Sequence, residues 1–234
     1  MASFLVTWLL WFTALTHAPL QGPMAPGVLS PTSWIIVQEK SNPSCSLAAA
    51  CSTSMSPNIV AGDGVLAMII TGSSVTVSSV SETGGSSTYT HCPSCHINNA
   101  SVGNMDASYT VSDGGSVSAV TTTASGTPSA YYSTDIIEFR PLFELTLAYD
   151  TSNNYNNTTN CTACTGVALT LTGSRPIVLQ GFLEANGPPT SVNLPYLIGA
   201  YNETAWNLAA QVGTAIVVNQ SPTGNSDGFA IGFK

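Results

Sequence analysis

Along most of this chain, short apolar runs rich in β-branched residues are separated by clusters of Gly, Pro, Asn and Asp. Leu47-Ala50 and Ala205-Ala210 could each form a turn, but neither sustains an i, i+3, i+4 stripe over ten residues, so beyond the N-terminal segment the pattern predicts strands. Strands are expected at 34–39, 64–71, 74–81, 88–91, 107–112, 116–124, 130–139, 143–149, 167–172, 177–183, 196–201, 207–212, 214–219 and 229–233. Ser74 to Ser78 and Ser116 to Val120 alternate apolar with hydroxyl residues, the signature of a strand with one buried and one wetted face. Val65 to Ile70 and Ile177 to Leu179 are apolar on both faces and belong at the centre of a sheet. Turn signals at Gly84-Gly85, Asp113-Gly114-Gly115, Gly173-Ser174 and Gly187-Pro188-Pro189 suit antiparallel connections. The expected fold is all-β, an antiparallel β-sandwich of jelly-roll or Greek-key type.

Two segments precede this series. Residues 1–18 hold an apolar run, Phe4 to Leu15, read as a signal peptide or a retained hydrophobic arm, and 19–32 form a Pro/Gly-rich linker. Residues 33–234 are then a single β-sandwich domain.

Only 7% of the 234 residues are charged and the net charge is −8. The cations, Lys40, Arg140, Arg175 and Lys234, are scattered singly, so no basic footprint exists for nucleic acid or for an anionic lipid surface. Membrane contact is expected only through the N-terminal segment, if it is retained. Ser, Thr, Gly and Asn fill the polar positions, a composition suited to an extracellular surface.

The six cysteines fall as close pairs, Cys45/Cys51, Cys92/Cys95 and Cys161/Cys164. An oxidising compartment and neighbour-to-neighbour disulfides are the simplest reading, although six cysteines allow 15 connectivities. Such small loops pin local structure rather than hold a fold together. One pair permits a sharper alternative. In His91-Cys92-Pro93-Ser94-Cys95-His96, Cys92, Cys95 and His96 form the C-x-x-C-H pattern that attaches a c-type haem, with His91 or Met105 as the second axial ligand. The flanking residues are mostly polar, which a haem pocket is not. A zinc site shared by the two C-x-x-C pairs would need distant loops to meet, and no resident metal is expected.

Catalysis finds little footing. Neither His91 nor His96 is accompanied by a nucleophile elbow. Asp135, Glu138, Glu144 and Glu184 could supply a carboxylate pair, but at strand positions they read as solvent-facing, so the chain is not expected to be an enzyme. Asp106, Asp113 and Asp150 read as isolated turn carboxylates rather than calcium ligands. N-glycosylation sequons occur at Asn99, Asn156, Asn157, Asn160, Asn202 and Asn219, several of them beside the cysteine loops.

Gly64 to Ile70, then Val75 to Gly85 and Thr88-Tyr89-Thr90, followed later by Arg175 to Phe182, resemble a motif series of uncharacterised secreted prokaryotic β-sandwich surface proteins with jelly-roll or Ig-like folds. That resemblance covers about half of the chain and implies a secreted or cell-surface module, with no functional residues attached. The expected function is structural: an extracellular protein that assembles with itself into a filament or sheath. Trp34, Ile35, Ile36 and Val37 are apolar enough to complete a neighbour's sheet by strand donation, or equally to pair within their own domain. A haem-bearing electron carrier and a carbohydrate-binding or adhesive module are the alternatives, the last drawing on Tyr131, Tyr132, Tyr149 and Tyr155.

Overall fold

In the computed structural model, the octapeptide GVLAMIIT of Gly64–Thr71 is buried along its whole length, because it lies mid-sheet with a second layer on each face. The structure describes residues 33–43, 45, 49–72, 75–99, 103–128, 131–142, 146–184, 189–193, 196–200, 204–208 and 215–234. The N-terminal segment, the linker, Glu144 and Asn202 lie outside these residues.

Among the described residues, strands β1 to β15 build three sheets with antiparallel pairings throughout. The central sheet runs β1 (Trp34–Asn42), β9 (Tyr132–Pro141), β3 (Gly64–Thr71), β7 (Gly103–Val111) and β5 (Thr90–His91), with β6 (Ile97–Asn99) also on β7. The second sheet runs β10 (Tyr149–Thr165), β15 (Val217–Phe233), β11 (Ile177–Glu184), β14 (Thr204–Asn207) and β13 (Leu197–Ile198), with β12 (Ser191–Val192) on β15. The third has only β2 (Ala50–Ile59), β8 (Val117–Ala124) and β4 (Val77–Thr83).

Strand alternation assigns the central sheet's side chains to two cores. Leu66, Met68, Ile70, Met105, Ile137 and Phe139 meet Ile177, Leu179, Phe229, Ile231 and Phe233 of the second sheet. The intervening residues Val65, Ala67 and Ile136 meet Met55, Ile59, Val117 and Val120 of the third. Burying a Leu, Ile or Phe side chain is worth about 1.5–3 kcal/mol, so a strand that contributes to two cores is a major source of stability. The second sheet's outer face is covered in turn by Leu169, Leu171 and Tyr196. The third sheet's outer face is wet: Ser52, Thr121 and Ser81 stand in one rank across its strands, and Ser54, Ala119 and Thr83 in the next.

The all-β antiparallel sandwich is thus the architecture, with a third sheet added to its expected pair of layers. Boundaries differ in instructive places. Ala50–Ile59 is not among the predicted strands and is β2, its Cys51, Thr53 and Met55 pointing inward between exposed serines. Of the predicted strand 143–149, residues 143–145 lie outside the described residues and only Tyr149 falls in β10, Tyr149–Thr165, which runs through an Asn-rich stretch and is held by its pairing with β15. β15, Val217–Phe233, takes in both the end of the predicted strand 214–219 and the whole of 229–233. Residues 167–172 pair with no sheet and instead lay Leu169 and Leu171 over the second sheet.

The ring of a cross-strand neighbour in the same sheet explains one glycine. A Cβ on Gly64 would overlap the Phe139 ring and stand 2.6 Å from Leu147 Cδ1. Gly64→Ala is expected to destabilise the protein by about 1–3 kcal/mol through overpacking, read as a lower urea midpoint at unchanged m-value.

Candidate functional site

The sequence draws attention first to the His91–His96 segment, and the structure makes it a staple. Cys92 and Cys95 are disulfide-bonded, with Cα atoms 5.3 Å apart, and both are fully buried in the core between the central and second sheets. Cys45–Cys51 and Cys161–Cys164 are likewise bonded, so every cysteine is paired with its neighbour. Three disulfides are consistent with an oxidising environment.

Strand alternation puts His91 and Met105 on opposite faces of the central sheet. His91 Nε2 lies 2.8 Å from Oδ1 and 3.0 Å from Oδ2 of Asp106, a buried carboxylate on β7. Asp106 also accepts the backbone N–H groups of Val77 at 2.7 Å and Ala107 at 3.0 Å, tying β4 to the central sheet. Met105 points the other way into the core, where Gly181 leaves room for its sulfur. In the structure the two sulfurs that a haem would need for its thioethers are bonded to each other, His91 is engaged with Asp106, and Met105 lies in the core. The four cysteines of the two C-x-x-C pairs are bonded within their own pairs, and among the described residues no three His, Cys, Asp or Glu side chains gather as a metal-binding group.

The expected solvent-facing carboxylates are a correction. Asp135 and Glu138 are buried and Glu184 half-buried, because the sheets that carry them are covered on both faces. Burial pushes Glu138 up to about 7, aided by the neighbouring Asp63 carboxylate and opposed by Gln38 and Arg140. Burial also raises Glu184 to about 7, with Ser226 lowering it and Asp227 raising it. Asp106 is a strand residue rather than a turn carboxylate, while Asp150 caps the segment at Thr172 and Gly173 and Asp113 binds Ser86 and Ser87.

The four tyrosines do not form an exposed row. Tyr132 is buried against Thr122, Tyr149 stacks on Tyr109 with centroids 5.2 Å apart, and Tyr155 packs on the second sheet's outer core. Tyr131 alone of the four is exposed. A cavity of about 110 Å³ lined by His96, Ile97, Asn98, Asn154, Tyr155 and Asn156 falls well below the roughly 300–1,000 Å³ of ligand pockets.

The richest constellation surrounds β1, which touches all three sheets. Trp34, Ile35, Ile36 and Val37 open this strand and pair along β9 of their own chain, from Trp34↔Pro141 to Asn42↔Thr134. Trp34 is fully buried: its ring tilts against Phe139, and its Nε1 donates to the Arg175 carbonyl at 2.7 Å. A bulge between Ile36 and Gln38 resets the alternation. Gln38 then faces the third sheet, donating through Nε2 to the Pro57 carbonyl at 2.6 Å and to Glu138 Oε2 at 2.5 Å. Glu39 faces the second sheet, accepting from the Ala200 N–H at 2.5 Å and from the Thr204 hydroxyl. Burial raises the Glu39 carboxyl, with Asp135 adding to the shift and the two hydrogen bonds opposing it.

Beyond Asn42, only Pro43 and Ser44 separate β1 from Cys45. Cys45 is bonded to Cys51 at the start of β2, and its N–H donates to the Tyr132 carbonyl at 3.1 Å. The root of β1 is thereby fixed independently of the strand itself. Sequence reasoning found the apolar start of β1 but missed Gln38 and Glu39, which carry its polar contacts.

The sequons separate by setting. Asn156 and Asn160 are exposed on the edge strand β10. Asn99 is half-buried, its Nδ2 donating to Asp227 Oδ2 at 2.5 Å, and Asn219 Nδ2 donates to Ser191 Oγ at 3.0 Å. Asn157 lies on β10 between the two exposed sites.

In comparisons with known proteins, no family model, curated protein or solved structure matches this chain.

Two outcomes follow from this geometry. Asp106→Ala removes the acceptor for two buried backbone N–H groups and should cost about 1–3 kcal/mol in thermal or urea unfolding. Expressed in a glycosylating secretory host, the protein should carry glycans at Asn156 or Asn160 in peptide mapping and none at Asn99, whose amide nitrogen is engaged.

Proposed function

We propose that this chain is an exported structural protein of a cell surface, a disulfide-stapled subunit that assembles with copies of itself by exchanging β1. The observation that carries this reading is the construction of β1. It is an edge strand with a buried aromatic anchor and contacts to three sheets, yet only Pro43 and Ser44 join it to the disulfide-fixed body. The same strand in a neighbour's sheet would make the same hydrogen bonds and fill the same Trp34 pocket, so exchange replaces contacts rather than creating them. A short connection between an edge strand and its domain is the arrangement from which swapping proceeds at low cost.

Charge and covalent structure agree with a surface role. With 7% charged residues there is little electrostatic repulsion between subunits at close range. Disulfides at Cys45, Cys92 and Cys161 and their partners would harden local structure in an extracellular environment. Glycans on β10 would leave the opposite edge of the molecule, at β1, free for assembly.

Electron microscopy and sizing of the full chain are expected to show oligomers or filaments, and removal of residues up to Lys40 is expected to abolish them. A synthetic peptide spanning Trp34–Asn42 should bind the truncated chain and raise its melting temperature. Assemblies that persist unchanged after the truncation overturn strand exchange.

A further inference from the structure

Two carboxyl groups sit where β1 meets its neighbours, one on each face of the central sheet. On the third-sheet side, Glu138 of β9 accepts from Gln38 and is buried beneath it. The remaining oxygens of this pair, Glu138 Oε1 and Gln38 Oε1, are both buried acceptors without a hydrogen-bond partner. A proton on Glu138 lets it donate to the neighbouring Asp63 carboxylate, whereas an ionised Glu138 leaves a buried charge beside another carboxylate with one amide donor. On the second-sheet side, Glu39 of β1 is held by Ala200 and Thr204, next to Asp135.

We propose that protonation of Glu138 and Glu39 gates the release of β1: acid holds the strand in its sheet, and neutral to alkaline pH frees it. This rests on the strand exchange set out above and names its regulation. Release rehydrates both carboxyls, so each binds its proton more weakly in the open state than in the docked one.

The direction of the pH effect follows. Glu138 is raised from its ordinary 4.5 to about 7 when docked, mainly by burial. Docking therefore gains fully at pH values below the ordinary carboxyl range and loses that gain as pH rises through about 7. The groups facing Glu138 are Gln38 and, on the same face of β1, Lys40; Asp63 before β3; Arg140 along β9; and the Pro57 carbonyl of β2. Arg140 is held at 2.5 and 2.6 Å by the Asp63 carboxylate, so its charge is largely committed there. Those facing Glu39 are Thr204 and the Ala200 N–H from the second sheet and Asp135 from β9. The carboxylates Asp63 and Asp135 oppose ionisation of Glu138 and Glu39 respectively.

Amide hydrogen exchange on the full chain, kept monomeric by dilution and corrected for intrinsic rates, tests the gate. Between pH 5 and 8 the opening of β1 relative to β3 should rise on the order of ten- to a hundredfold. Glu138→Gln, which mimics the protonated group, should flatten most of that rise, and Glu39→Gln the rest. Parallel protection of β1 and β3 across the range overturns the gate, as does an unchanged profile in the double variant. These readings concern the monomer alone. An intact pH profile without assembly would sink strand exchange and leave the gate standing, while β1-dependent assembly with pH-independent opening would do the reverse.

Discussion

The fold depends on the double burial of its central sheet. A sheet with one wet face can alternate apolar and polar residues, but β3 and β9 are packed from above and below, so both sets of side chains must be accommodated without water. Apolar residues achieve this by filling two cores. Each polar residue placed there must find a partner inside the protein, and this requirement organises the unusual chemistry around β9. Asp106 gathers two backbone N–H groups and a histidine, Asp63 holds Arg140, and Glu138 shares an amide with β1. The second and third sheets are thus joined through the central one by polar contacts as well as by hydrophobic packing.

The parts of this architecture that were legible in the sequence are those where local pattern and final environment agree. Val65 to Ile70 reads as a two-faced apolar strand and occupies the middle of the buried sheet. Gly84, Gly114 and Gly115 read as turns, and each adopts the positive φ that favours glycine. The close cysteine pairs bond as their spacing indicates. What was not legible depends on partners distant in sequence. β2 is made largely of Ser, Thr and small residues, and its inward Cys51, Thr53 and Met55 become a recognisable face only beside β8. β10 has loop-like composition and is a strand because β15 offers it a ladder.

The candidate site divides along the same line. The apolar start of β1 was visible as a sticky segment, since Trp34, Ile35, Ile36 and Val37 stand out in any hydropathy reading. Glu138 was visible only as a strand carboxylate, and a strand carboxylate ordinarily faces water. Nothing local reveals that a three-stranded sheet covers it or that a bulge turns Gln38 toward it. The histidine-flanked cysteine motif is specific in its local pattern, and what decides its setting, the burial of its sulfurs and the face on which each histidine lies, is set by tertiary structure.

The disulfides have a bearing on biogenesis. They span sequence separations of 6, 3 and 3, whereas strands such as β1 and β9 must find each other across about a hundred residues. A pairing scheme so local can be completed on short stretches of emerging polypeptide, before any sheet has closed, and it offers few opportunities for scrambling between distant cysteines. Oxidation and topology are consequently separable: thiol chemistry can finish early, leaving the slow step to the long-range registration of strands.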